Sequence, residues 1–332
     1  VCRGVIVIFR SALFAVTPQD TFPAIVTPQL QLEVGGAIDA ILALPLVKAL
    51  VPVPVILAVA PFVWLLFRDT WRAIDDEARS FAKEQTGPDH RPAVALVLLA
   101  LTLSIQEYYG GRGFFTQSVE PMMARWESGG AKWLKLALLR DLYSYGWWVF
   151  ARVLGYAIVP LVVWKTLFPK DSVLDMGLRV KGFFSHLWIY GLCLTVVFLA
   201  MALLSQQEDF LNYYPFYKLA SRSWFDLLAW EGIYFIQFFA LEFYFRGFLL
   251  STLKRTMGSA AIFAIAVPYC MIHFGKPYLE ANGAIIAGIV LGSLAMRTKS
   301  VYAGFLVHIT VAGLMDYYAL SARDALPTQP WP

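Results

Sequence analysis

Apolar residues along this chain come in long unbroken runs rather than on one-sided or alternating faces, and polar residues collect in the stretches between the runs. In windows of about 19 residues the runs fall near residues 41–67, 93–109, 146–168, 187–205, 224–250, 259–274, 280–296 and 300–320. A helix of some 20 apolar residues crosses a ~30 Å hydrocarbon layer with every backbone N–H and C=O satisfied internally. The pattern therefore predicts an all-α fold, a polytopic transmembrane helix bundle of about eight spans. The second, sixth and seventh runs are short for that thickness, which calls for tilt, re-entrant entry or a different count.

Two connectors stand out. "RDTWRAIDDEARSFAKEQTGPDHRP" reads as a charged, solvated helical connector ended by Gly87 and Pro88. Within 110–145, "MMARWESGGAKWLKLALLR" alternates Arg125, Lys132, Lys135 and Arg140 with Trp126, Trp133 and leucines. That alternation suits an interfacial amphipathic helix, with a solvated loop as the alternative. Residues 1–223 are expected to form N-terminal spans and connectors, 224–320 a core group of helices, and 321–332 a short polar tail.

Composition agrees with the pattern: of 332 residues, 59% are hydrophobic and 15% charged, and mean hydropathy is +0.61. Ordinary soluble domains are far less apolar. A formal net charge of +4 is spread beside the spans rather than massed in one patch, so nothing points to a nucleic-acid partner. Lys254 and Arg255, Arg297 and Lys299, and Lys170, Arg179 and Lys181 fall on one side of an eight-span bundle, with Arg68, Arg72 and Arg79. Basic flanks favour the cytoplasm, which would put both termini outside, although the basic 110–145 connector lies opposite. Cys2, Cys193 and Cys270 have no paired spacing and imply no disulfide framework. The opening "VCRGVIVIFRSALFAV" lacks a clean cleavage pattern for a secretory signal.

Ionisable residues inside the spans carry the chemistry. In "FFALEFYFRGFLL", Glu242 and Arg246 stand four residues apart, so on a helix they meet on one face. A lone charge mid-span costs ~2.5–3.5 kcal/mol on insertion scales, and such groups pair or face a wet cavity. A functional site is the leading reading, and a structural ion pair the alternative. Glu231 lies eleven residues earlier, almost on the same stripe, or else near the helix entrance where it snorkels to the interface. His273, a turn after Tyr269, and His308, mid-way along the last span, add groups suited to proton transfer near neutral pH. Each could instead be a packing histidine. His90 and His186 lie in or beside connectors.

"EFYFRGFLL", "YCMIH" and "RTKSVYAGFLVHITVA" together resemble the three motifs of the CPBP intramembrane proteases, the CAAX-prenyl-protease and bacteriocin-processing family also called Abi. Its motifs, Glu-Glu-x-x-x-Arg, Phe-x-x-x-His and a His followed four positions later by Asn, fall on Glu242 and Arg246, on Tyr269 and His273, and on His308. The likeness covers about residues 224–320 and departs at Leu241, where the family has its first Glu, and at Ala312, where it has Asn. It implies an integral membrane hydrolase of the bacterial inner membrane. Such an enzyme is an intramembrane glutamic endopeptidase whose partner is a membrane-associated protein or peptide. The implied catalytic set is Glu242, His273, His308 and Arg246, with Glu231 or Glu280 as an additional acid in place of the missing Glu. Glu280 could equally be a helix-start residue favoured by the positive end of its helix. No cofactor is expected; a zinc held by Glu242, His273 and His308 is the alternative, although the chain lacks His-Glu-x-x-His spacing. A catalytically inactive CPBP-like scaffold or immunity protein is the competing function. A transporter would show Gly- or Pro-broken helices at matched positions in two halves, a symmetry absent from the sequence.

Overall fold

The computed structural model describes residues 45–184, 186–204 and 208–332. Residues 1–44, with Cys2 and the first part of the 41–67 run, lie outside the described residues. Of the residues before Pro52 the structure describes 45–51, with the short helix Pro45–Leu50. Residues 52–332 form a helical bundle.

Its principal helices are α1 (Pro52–Glu84), α2 (Arg91–Tyr109), α3 (Glu120–Ser128), α4 (Leu136–Leu167), α5 (Leu187–Leu204), α6 (Trp224–Met257), α7 (Ala260–Met271), α8 (Tyr278–Thr298) and α9 (Tyr302–Ser321). Among the described residues no strand forms, and the one isolated bridge joins Leu178 to Ser300. α1, α2, α4, α6, α8 and α9 are long and apolar enough to cross a membrane, while the apolar parts of α5 and α7 are shorter. The protein is thus an all-α polytopic membrane protein.

Two boundaries differ from the hydropathy reading, for a common reason. α1 carries its apolar run straight into the charged connector, and its 33 residues extend about 50 Å, well past the hydrocarbon layer. α4 begins ten residues before the expected run, taking Arg140 onto a helix where it pairs with Glu120 at 2.8 Å. Hydropathy marks where a helix is apolar. Backbone hydrogen bonding, which is indifferent to the side chain, carries it further.

α6 is the central element. Of its apolar window 78% is buried inside the protein, against 6% for α1, so α6 is walled by other helices whereas α1 turns its side chains outward. Phe62, Val97 and Leu199, each more than half exposed, lie on that outer surface; in water it would be a large apolar patch, and lipid accounts for it. Ser223 caps α6, accepting from the Asp226 N–H at 3.1 Å. The Asp226 carboxylate accepts in turn from Tyr217, Arg222 and Ser223. The 321–332 tail returns to this end: the N–H groups of Trp224 and Phe225 donate to the carbonyls of Gln329 and Pro330, and Trp331 packs on Phe225. Two of the four N–H groups that a helix start leaves unpaired are satisfied this way.

Candidate active site

Between Glu242 and the end of α6 the helix widens into a π turn, Phe243–Leu249, that contains Arg246. Gly247 sits in that turn because the backbone of the 168–180 loop presses on it: a Cβ there would lie 2.3 Å from the Met176 carbonyl oxygen. Phe243, Tyr244, Phe245, Phe248 and Leu249 are all buried and root the turn in the main apolar core. Widened turns inside α-helices are frequent at functional sites, since they re-aim side chains without ending the helix.

Glu242 is fully buried and Arg246 is 2% exposed. Arg246 Nη1 stands 3.1 Å from Glu242 Oε1, and His308 Nδ1 from α9 stands at 3.1 Å from the same oxygen. Neither contact is aligned as a hydrogen bond, so both Glu242 oxygens and both Arg246 terminal nitrogens lack an aligned partner. What joins Glu242 and Arg246 is opposite charge at short range, both groups being buried. The Arg246 guanidinium also lies 3.8 Å over the ring of Tyr269, a cation–π contact. Gly304 makes room for the carboxylate: a Cβ there would fall 2.0 Å from Glu242 Oε2.

Hydrogen bonds set the histidine tautomers. His308 Nδ1 lies 3.1 Å from the Gly304 carbonyl oxygen as well as beside Glu242. Both neighbours can only accept, so Nδ1 carries the proton. His308 Nε2 is then the acceptor for the Tyr269 hydroxyl, 2.7 Å away. His273 Nδ1 donates to the Tyr269 carbonyl oxygen at 2.7 Å, which leaves its Nε2 with a free lone pair. Tyr269 is the hinge of the arrangement, with its hydroxyl on one histidine, its carbonyl on the other and its ring beneath the arginine. Phe238 stacks on His308.

His273, Tyr269 and His308 line a cavity of about 290 Å³, whose walls are otherwise largely apolar and include Ala312 and Glu280. Glu242 and Arg246 do not line it; they stand behind His308 and Tyr269. The structure thus brings Glu242, Arg246 and His308 together, with His273 across Tyr269. Glu280 reaches the cavity wall but is held by Lys276 at 2.7 Å and by the Tyr214 hydroxyl at 2.7 Å. Glu231 belongs elsewhere: it faces Asp316 of α9, whose carboxylate accepts from Trp230 Nε1 at 2.7 Å. Leu241, where the CPBP motif has its first acid, is buried in the apolar core.

Sequence reasoning missed Asp316 and Gly304. The rule that singled out Glu242 also applies to Asp316, an acid late in a span. Gly304 gave no signal, since only the approach of another helix reveals why a side chain is forbidden there. Among the described residues no group of three His, Cys, Asp or Glu side chains is arranged to hold a metal, and both nitrogens of His308 are engaged.

With this geometry in view, comparison with known proteins gives one finding. Residues 222–314 match the family model described as "Type II CAAX prenyl endopeptidase Rce1-like", a CPBP-type family. The match covers α6, α7, α8 and α9 as far as residue 314, the helices that bring Glu242, Arg246, His273 and His308 together. No curated protein and no solved structure matches.

Proposed function

We propose that the protein is an intramembrane endopeptidase of the CAAX type, which hydrolyses a peptide bond in a membrane-associated protein or peptide inside the cavity between α6, α7, α8 and α9. The observation that carries this reading is the convergence on one apolar cavity of two histidines that both carry the proton on Nδ1. His273 has a free lone pair there, while His308 is steadied from behind by a buried carboxylate.

In this mechanism His273 Nε2 takes a proton from water as the water oxygen attacks the scissile carbonyl carbon. The C–N bond then breaks, and the same proton passes to the departing amine. The developing oxyanion needs a donor. Where the family motif has Asn the cavity wall is Ala312, and where it has Phe this chain has Tyr269, so the hydroxyl takes over the donor's task by turning its one proton from His308 Nε2 to the oxyanion as the charge forms. Glu242 fixes His308, and His308 fixes the hydroxyl; Arg246 balances the buried carboxylate. Glu242 acts as a positioning residue, one step removed from the water. The largely apolar walls suit a lipid-anchored or apolar tail, and the bacterial inner membrane is the compartment that the family likeness implies.

The buried Leu241, and the closing-off of Glu242 from the cavity, favour a second reading in which the fold is kept and catalysis lost. Purified protein offered a library of membrane-tethered tails separates the two. The protease reading expects cleavage that falls about 10²–10⁴-fold in His273→Ala, with His308→Ala also impaired and both variants folded. Absence of cleavage by the folded wild type, or cleavage that survives both substitutions, refutes it.

A further inference from the structure

Arg246 also closes the inner end of a second cavity, which the proteolytic reading leaves unused. This cavity, about 290 Å³ in volume, is lined from the end of α6, the loop after α4 and the end of α8, with contributions from α1 and the start of α2. Six basic side chains line it against three acidic ones. The acids are already taken: Asp171 by Arg91 at 2.9 Å, Asp175 by Arg179 at 2.6 Å, and Glu77 by Lys254 at 3.0 Å. Arg255 and Lys299 remain, and Arg246 has only Glu242, at 3.1 Å on its far side. Among the described residues no carboxylate forms an ion pair with Arg255 or Lys299, both of them exposed. Arg246 is 2% exposed, and its two terminal nitrogens have no aligned acceptor. A buried guanidinium with unfilled donors, at the back of a cavity with surplus positive charge at its mouth, is built to receive an anion. The hydroxyls of Ser172 and Ser251 add donors to the wall.

We propose that this cavity is a binding site for a phosphate group, with Arg246 at its inner end and Arg255 and Lys299 at its rim. It lies where α2 begins and α6 and α8 end, the level at which headgroups meet the ends of spanning helices, so phospholipid and free phosphate are the two sources of one chemistry. An anion there would compete with Glu242 for Arg246, linking occupancy of this side to the other cavity.

The test uses the full chain in phosphatidylcholine nanodiscs. In one arm phosphatidic acid is included and its retention is followed by native mass spectrometry. In the other, inorganic phosphate is titrated at constant ionic strength and its phosphorus resonance is monitored. Binding in either arm is expected, and identifies the source. The pair Arg255→Gln and Lys299→Gln should weaken it about tenfold or more, whereas Arg255→Lys with Lys299→Arg should retain most of it. Both positions are exposed, and melting in phosphatidylcholine alone checks the fold of each variant. Failure of both probes to bind, or wild-type affinity in the charge-removed pair, overturns the proposal. Neither arm reads proteolysis, so this site and the proposed activity stand or fall separately.

Discussion

At the scale of single residues, Glu242 and Arg246 show why a buried pair cannot be judged from one partner. Each is almost wholly removed from solvent, so deleting one charge strands the other, a loss of ~3–5 kcal/mol in buried pairs, whereas apolar replacement of both is often neutral. Glu242→Gln should therefore lower the unfolding free energy of the reconstituted protein by that order, and Glu242→Gln with Arg246→Met should recover most of it. Equal instability of the single and double variants would show that something other than the stranded charge is at fault. Tyr269 makes a second residue-scale prediction. Tyr269→Phe removes the hydroxyl that lies 2.7 Å from His308 Nε2. If that hydroxyl is the oxyanion donor, turnover should fall about 10²–10³-fold with substrate affinity little changed. Adding Ala312→Asn, which restores the motif's own donor, should return part of the rate; a full rate in Tyr269→Phe alone would remove the hydroxyl from the mechanism.

At the scale of elements, the site depends on how closely α9 approaches α6. Glu242 Oε2 occupies the space a side chain at Gly304 would need, so the absence of one methyl group on α9 lets a carboxylate on α6 reach His308. Gly304→Ala should cost ~1–3 kcal/mol, as overpacking usually does, measured by denaturant unfolding in detergent. Combined with Glu242→Ala, whose side chain no longer fills that space, its cost should shrink below the sum of the two, because the residues share one contact. Strict additivity would mean that the helices separate freely. The same element logic explains the π turn, where Gly247 lets the loop after α4 lie against α6, aligning Arg246 between two cavities.

At the scale of the whole molecule, contacts distant in sequence close the bundle. Asp171, in the loop after α4, receives a forked pair of hydrogen bonds from Arg91 at the head of α2, at 2.9 and 3.1 Å. The hydrogen bond from Arg91, then its charge, and Trp164 hold the Asp171 carboxyl below the usual carboxylate range against the opposing effect of burial. A depressed folded-state value contributes stability that is present above the unfolded value of about 3.9 and is lost as pH falls below it. Thermal unfolding between neutral pH and pH 3 should therefore show an acid-labile component that Asp171→Asn reduces. An identical acid response in the variant would assign the lability to other carboxylates. Lys254 to Glu77 and the tail against the start of α6 close the bundle in the same manner.

Hydropathy alone determined that the chain is helical, membrane-spanning and polytopic, because a bilayer admits few ways to satisfy a backbone. It located most helices within a few residues, failing at the end of α1 and the start of α4, where backbone bonding outruns composition. It also marked Glu242, Arg246, His273 and His308, since ionisable groups at that depth are too costly to be incidental. What only the tertiary structure decided is which of these meet and in what role. Periodicity put Glu231 on the stripe of Glu242, yet α9 supplies Asp316 to one and His308 to the other. Tyr269 came to link both histidines, and Arg246 to face a second cavity, through the crossing of α6, α7 and α9. A side chain's partners across helices depend on close approach in space, and no one-dimensional pattern records where a glycine lets two backbones meet.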